Sequence, residues 1–183
     1  MLIYTCRVTG DEMISDAYDL NPVKDAEGNE VPELFECESM SVNKDSGASV
    51  DVGGGNAFGG GGADEEVDDT SENVNNVIDE SLGFGYNEVP MGKKDLKDFL
   101  KTYCGAVRTM LKDDDKVDGP TVKAFTQAAP TFCKWFLSKA DDLQFFMSPS
   151  FNPDGAMAFG YYKDGNSTPT FVYIKQGLIE MKV

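Results

Sequence analysis

Residues 93–139 read KKDLKDFLKTYCGAVRTMLKDDDKVDGPTVKAFTQAAPTFCKWFLSK, from Lys93 to Lys139. In the first half Leu96, Phe99, Leu100, Tyr103, Val107, Met110 and Leu111 recur at steps of three and four, which puts them on one face of an α-helix. Lys93, Lys94, Lys97, Lys101 and Arg108 occupy the other face. The second half repeats the logic with Val122, Phe125, Phe132, Phe136 and Leu137. Between them, Asp113 to Pro120 ends one helix and starts the next, because Gly119 relaxes the backbone and Pro120 suits a first helical turn. Pro130 is expected to kink or split the second helix. An amphipathic hairpin of this kind must bury its apolar face on something, and the remaining sequence supplies strands.

Working outward, Leu2–Arg7 reads as a first strand and Glu12–Asp16 as a turn or short extended piece. Tyr18–Lys24 is a strand interrupted by Pro22, as at a sheet edge or a bulge. Leu34–Val42 partly alternates apolar and polar residues, and Asn73–Ile78 and Leu82–Val89 are strand-like. After the hairpin, Leu143–Met147, Ala156–Lys163, Thr170–Lys175 and Leu178–Val183 complete the set. The expected fold is α+β: a mainly antiparallel β core with an inserted amphipathic helical hairpin at 93–139, in a single domain spanning 1–183. A long flexible loop is expected at about 45–72. Seven of the ten residues 53–62 are glycine, and the acidic run Asp64-Glu65-Glu66-Val67-Asp68-Asp69 follows. This stretch lacks the lysine and hydroxyl of a phosphate-binding loop. Neither frame through Asp113-Asp114-Asp115 gives a calcium-binding EF-hand loop, since Val117 or Lys116 falls on a ligand position.

Charge narrows the function. The net charge is −16, distributed as −18 over residues 1–92, +4 over 93–139 and −2 over 140–183. The hairpin is a basic island on an acidic molecule. Such a molecule repels nucleic acid, whereas its basic face can meet an acidic protein surface. The chain has no histidine, which removes Ser-His-Asp and Cys-His nucleophile systems and histidine-based metal sites. Cys6, Cys37, Cys104 and Cys133 are widely spaced with no C-x-x-C pair, and they read as reduced, buried thiols. A thiol reductase would need a reactive Cys37 or Cys104, and the flanking sequence marks neither. With no apolar run long enough to span a membrane and no signal-peptide pattern at Met1–Arg7, the sequence reads as a cytoplasmic protein. Monomer and weak dimer are both compatible with it.

Several short motifs in a fixed order carry a resemblance. They are Met1-Leu2-Ile3-Tyr4, Asp11-Glu12-Met13-Ile14-Ser15-Asp16-Ala17-Tyr18, Gly54-Gly55-Asn56-Ala57 and the lysine-rich first helix. Further on come Gln144-Phe145-Phe146-Met147, Asn152-Pro153-Asp154-Gly155 and Lys175-Gln176-Gly177-Leu178. Along nearly its whole length the chain resembles the translationally controlled tumour protein family, as a divergent member. Phe58 to Gly62 stand where the family usually continues Ser-Ala-Glu, and Ser148-Pro149 where it usually has Gly-Glu.

The resemblance implies a β-rich core with a projecting hairpin, no enzymatic activity, and roles in growth control and resistance to apoptosis. It also implies binding to small GTPases, translation elongation factors and tubulin, with weak calcium binding whose ligands it does not assign. No other cofactor is implied. The acidic pair Asp11 and Glu12 matches the proposed GTPase contact, where a partner's lysine or arginine would meet the carboxylates. Lys93, Lys94, Lys97 and Lys101 match the proposed tubulin-binding region. Guanine-nucleotide exchange, or inhibition of dissociation, on a small GTPase is the alternative reading; it needs no catalytic side chain. The plainer expectations for the same residues are a turn-stabilising Asp11, a solvated Glu12 and a solvated lysine face.

Overall fold

The two ends of the chain pair with each other. In this computed structural model, which describes residues 1–46 and 72–183, strand β1 (Leu2–Cys6) runs antiparallel to β11 (Leu178–Lys182), with Leu2 opposite Lys182 and Cys6 opposite Leu178. Strand β2 (Glu12–Ser15) adds to the other edge of β1 and completes a three-stranded sheet. A second sheet holds six strands in the spatial order β3 (Leu20–Lys24), β4 (Glu30–Glu38), β10 (Thr170–Ile174), β9 (Met157–Tyr161), β8 (Gln144–Met147) and β7 (Asn87–Val89). Strands β5 (Ser41–Asn43) and β6 (Asn73–Asn75) form a separate ribbon. Every pairing among the described residues is antiparallel. The expected loop of about 45–72 lies almost wholly outside the described residues.

Two helices, α1 (Lys93–Asp113) and α2 (Gly119–Ser138), make the hairpin, with the apolar stripes turned inward as their periodicity requires. Leu96, Leu100, Tyr103, Val107 and Leu111 of α1 are buried, as are Phe125, Phe132 and Phe136 of α2. The hairpin docks on the six-stranded sheet through Phe159 of β9. The Phe159 ring lies 4.3 Å from Phe136, 6.4 Å from Phe99 and 6.0 Å from Phe145, centroid to centroid. Aromatic side chains carry much of the burial in such an interface, and Phe125, Phe132, Phe136, Phe145, Phe146, Phe159 and Phe171 are all buried in the core. The Asp118 carboxylate caps α2 by accepting the Thr121 amide at 2.8 Å. The hairpin turn is tied to the sheet by Arg7, whose Nη1 sits 3.2 Å from the Asp114 carboxylate and whose Nε donates to the Gln176 carbonyl at 2.9 Å. Asp114 also accepts the Lys116 amide at 3.0 Å, so the same carboxylate shapes the hairpin turn and joins it to the chain after β1.

Several expectations are corrected. Of the two outcomes expected at Pro130, kink or split, the split does not occur: helix α2 runs from Gly119 to Ser138. Pro130 lies on the exposed side, and the buried Ala128 and Phe132 flanking it hold the helix across the single missing hydrogen bond. Of the two readings of 12–16, turn or short extended piece, the extended one holds: Glu12–Ser15 is a strand whose Met13 and Ile14 are fully buried. The strand read as Leu34–Val42 begins at Glu30 and breaks at Ser39–Met40, where the Ser39 amide and hydroxyl both donate to the Pro169 carbonyl and the Met40 amide donates to the Asn76 side chain.

Between residues 73 and 89 only Asn73–Asn75 and Asn87–Val89 are strand. Asn75 Oδ1 accepts the Val77 and Ile78 amides, and Asp79 Oδ2 accepts those of Ser81 and Leu82. Side-chain bonds of this kind outcompete a ladder. Pro22 sits where expected, on the edge strand β3 beside a register shift.

Candidate functional site

The turn after β1 and the 76–86 loop face each other across a cleft of about 520 Å³, lined by Asp11, Glu12, Glu80, Phe84, Asn87 and Pro149 among others. Backbone constraints set its shape. Gly83 lies so close to the preceding turn that a Cβ would come 2.3 Å from the Val77 carbonyl oxygen, and Gly85 has φ +69°. Behind the cleft, the buried Tyr86 hydroxyl donates to the Met13 carbonyl of β2 and lies 2.7 Å from the Tyr173 hydroxyl of β10. Burial pushes the Tyr86 phenol well up from its ordinary value, so it stays a neutral donor. The loop is therefore anchored to both large sheets.

The two carboxylates expected to act together have different surroundings. Asp11 Oδ2 accepts the Ser148 hydroxyl at 2.7 Å and the Ser150 amide at 3.0 Å. Burial raises the Asp11 carboxyl, but the hydrogen bonds from Ser150 and Ser148 outweigh it and hold the group below the usual carboxylate range. Asp11 thus joins the first β-turn to the turn after β8. The serines that hold it come from the Ser148-Pro149-Ser150 segment after β8. Glu12 is exposed at the cleft and has no ion-pair partner among the described residues. Glu80 is also exposed there, beside the half-buried Phe84. A cationic side chain entering the cleft would find two solvated carboxylates and an aromatic face.

Lys93, Lys94, Lys97 and Lys101 lie outside this cleft. All four are exposed, and none has an ion-pair partner among the described residues. At about 100° per residue they fall within an arc of about 100° on α1. The same arc continues to Arg108 and Lys112, which border a second cleft of about 590 Å³ between the helices. That cleft adds Lys123 from α2 over an apolar floor of Leu111, Val117 and Val122. Sequence reasoning placed Arg108 on the basic face but missed Lys112 and Lys123. Their contribution depends on how α2 crosses α1, although the i, i+4 spacing of Arg108 and Lys112 was a signal.

Two other features were missed. Glu36 of β4 is buried, accepts the Tyr161 hydroxyl at 2.5 Å and lies 2.6 Å from Lys163 Nζ. Burial lowers the Lys163 ammonium, but Glu36 and Glu38 outweigh that and raise it. This cluster ties β4 to β9. The second is a thiol pair: Cys104 of α1 and Cys133 of α2, expected to be buried, are half-buried with their Sγ atoms 3.8 Å apart. Among the described residues no group of three or more Cys, Asp or Glu converges as a metal site would require, and no helix is long and apolar enough to cross a membrane.

An antiparallel β scaffold carrying a helical hairpin, with an acidic cleft and a basic helix face, defines the class: a β-rich α+β protein presenting two charged surfaces. A sequence model of the family described as translationally controlled tumour protein matches residues 1–179. The chain is 36% identical over 183 residues to a translationally-controlled tumor protein homolog of Alternaria alternata, and 30% identical over 183 residues to one of Debaryomyces hansenii, covering 100% of both chains in each case. Among solved structures it is similar to the translationally controlled tumor-associated protein p23fyp of Schizosaccharomyces pombe, with a TM-score of 0.72 and 28% identity over 100% of both chains. The Caenorhabditis elegans translationally-controlled tumor protein aligns with a TM-score of 0.61 and 26% identity, over 100% of this chain and 99% of that one. The chain belongs to the translationally controlled tumour protein family, and that membership supports a regulatory protein of the family's type.

Proposed function

We propose that the chain is a non-enzymatic, cytoplasmic interaction protein of growth control whose acidic cleft receives a lysine or arginine from a small GTPase or elongation factor. One observation carries this reading: of the acidic pair, Asp11 is occupied in holding the Ser148–Ser150 turn, while Glu12 stands exposed on a cleft that also presents Glu80 and Phe84. Glu12 is then the contact residue and Asp11 the residue that positions it. The lysine stripe of α1 is the second surface, suited to an acidic partner such as tubulin by charge alone. Calcium, if bound, meets single exposed carboxylates and binds weakly; titration to millimolar calcium without localised chemical-shift changes would remove it from the proposal.

The test is quantitative capture of GTPases, elongation factors and tubulin from cytosol by wild type, Glu12→Gln and a Lys93/Lys94/Lys97/Lys101→Gln variant. Loss of a GTPase or elongation factor with Glu12→Gln alone supports the cleft, and loss of tubulin with the lysine variant alone supports the stripe. Retention of every partner by both folded variants would rule both surfaces out.

A further inference from the structure

The four thiols are of two kinds. Cys6 and Cys37 are buried and engaged by the backbone. Cys6 Sγ accepts the Thr9 and Ala156 amides at 3.4 and 3.2 Å, and Cys37 Sγ donates to the Glu38 carbonyl at 3.3 Å. Burial, reinforced by Asp19, Glu38 and Glu36, pushes the Cys37 thiol up to about 12, which leaves it unreactive at neutral pH. Cys104 and Cys133 differ on each count. They are half-buried, so solvent reaches them, and their nearest sulfur partner is each other at 3.8 Å. They come from different helices of the hairpin and are separated by 29 positions in the chain. Their shared S–H···S hydrogen bond lowers Cys133 and raises Cys104, so one thiol of the pair is the better nucleophile.

We propose that Cys104 and Cys133 are a peroxide-sensitive dithiol that closes into a reversible disulfide, fastening α1 to α2. The Cys133 thiolate attacks one oxygen of a hydroperoxide and breaks the O–O bond. Cys133 becomes a sulfenic acid, and the departing oxygen leaves as water, or as an alcohol from an organic peroxide. Cys104 then attacks the Cys133 sulfur, gives up its proton, and displaces hydroxide, which leaves as a second water. Two thiols together lose two electrons and the peroxide gains them. The sulfurs must close from 3.8 Å to about 2.05 Å, the length of a disulfide. A thiol reductant reverses the reaction by exchange. The cross-link would hold together the two helices that border the basic cleft, whose Arg108 and Lys112 lie on α1 and Lys123 on α2.

The experiment treats the full-length wild type with hydrogen peroxide at a few equivalents, removes the peroxide, unfolds the protein in denaturant to alkylate the remaining thiols, and maps the product by mass spectrometry. Circular dichroism before unfolding confirms that the protein stays folded during the peroxide step. The expected product has lost the mass of two hydrogens, links the Cys104 and Cys133 peptides, carries alkyl groups only on Cys6 and Cys37, and reverts with dithiothreitol. In Cys104→Ser, Cys133 should accumulate as a sulfenic acid trapped by dimedone, with no intramolecular disulfide. Because the wild type carries the main readout, a poorly folding variant does not weaken the test. A folded wild type whose Cys104 and Cys133 remain alkylatable, oxidise singly to sulfinic acid, or link to Cys6 or Cys37 would overturn the proposal.

Discussion

The acidic cleft and the basic stripe of α1 carry opposite charge, and they are built in opposite ways. The cleft is concave and held from behind. Gly83 permits the close turn, Tyr86 bridges to β2 and β10, and Asp11 locks the Ser148–Ser150 turn, so Glu12 and Glu80 are presented on a fixed surface. The stripe is a row of long exposed side chains on one helix, with no ion pairs among the described residues to order them. A fixed concave site discriminates partners by shape and by the geometry of hydrogen bonds. A row of solvated lysines instead attracts any acidic surface and speeds encounter, with an effect that salt screens. Under the proposed function, specificity would fall to the cleft and steering to the stripe.

The largest effect is expected at Gly83. A Gly83→Ala change drives a Cβ against the Val77 backbone oxygen, and since backbone must move, a loss of about 2–3 kcal/mol is expected in denaturant unfolding. Partner capture through the cleft should fall with it. Tyr86→Phe leaves the Met13 carbonyl and the Tyr173 hydroxyl without their partner, at a cost of about 1–2 kcal/mol, with the basic stripe unaffected.

Asp11→Asn sharpens the distinction between the two carboxylates and should cost about 1 kcal/mol at neutral pH. The folded value for Asp11 lies below its ordinary value of 3.8, so its contribution is present above that value and is lost as pH falls through the folded value. The gap between wild type and Asp11→Asn should therefore narrow below about pH 4 in acid unfolding curves. The smallest effect on stability belongs to the stripe. Single Lys→Gln changes at positions 93, 94, 97 and 101 should stay within about 0.5 kcal/mol, yet the combined variant should lose binding to acidic partners in proportion to the salt sensitivity of that binding.

What could be read in the sequence follows how local each signal is. The hairpin was legible because its stripes recur within single helices, and Pro22 was legible as an edge residue because proline lacks a ladder donor. The 73–89 region misled because alternating residues look like strand. There Asn75 and Asp79 divert the backbone through bonds that no periodicity reports. For the candidate site, the family pattern pointed to Asp11 and Glu12, but the difference between their surroundings was not visible. It depends on Ser148 and Ser150, more than 130 positions away in the chain. The Glu36–Lys163 cluster and the Cys104–Cys133 pair were hidden for the same reason: each exists only once strands or helices cross.

The most direct measurement sets the affinity of a captured small GTPase or elongation factor for Glu12→Gln beside that for Asp11→Asn, with the unfolding midpoint of each variant determined in parallel. The account predicts that Glu12→Gln weakens binding about tenfold, roughly 1.4 kcal/mol, without moving the midpoint. Asp11→Asn should lower the midpoint by about 2–4 °C and affect binding less. A stable Glu12→Gln protein that binds as wild type does, beside a folded Asp11→Asn protein that has lost the partner, would contradict it.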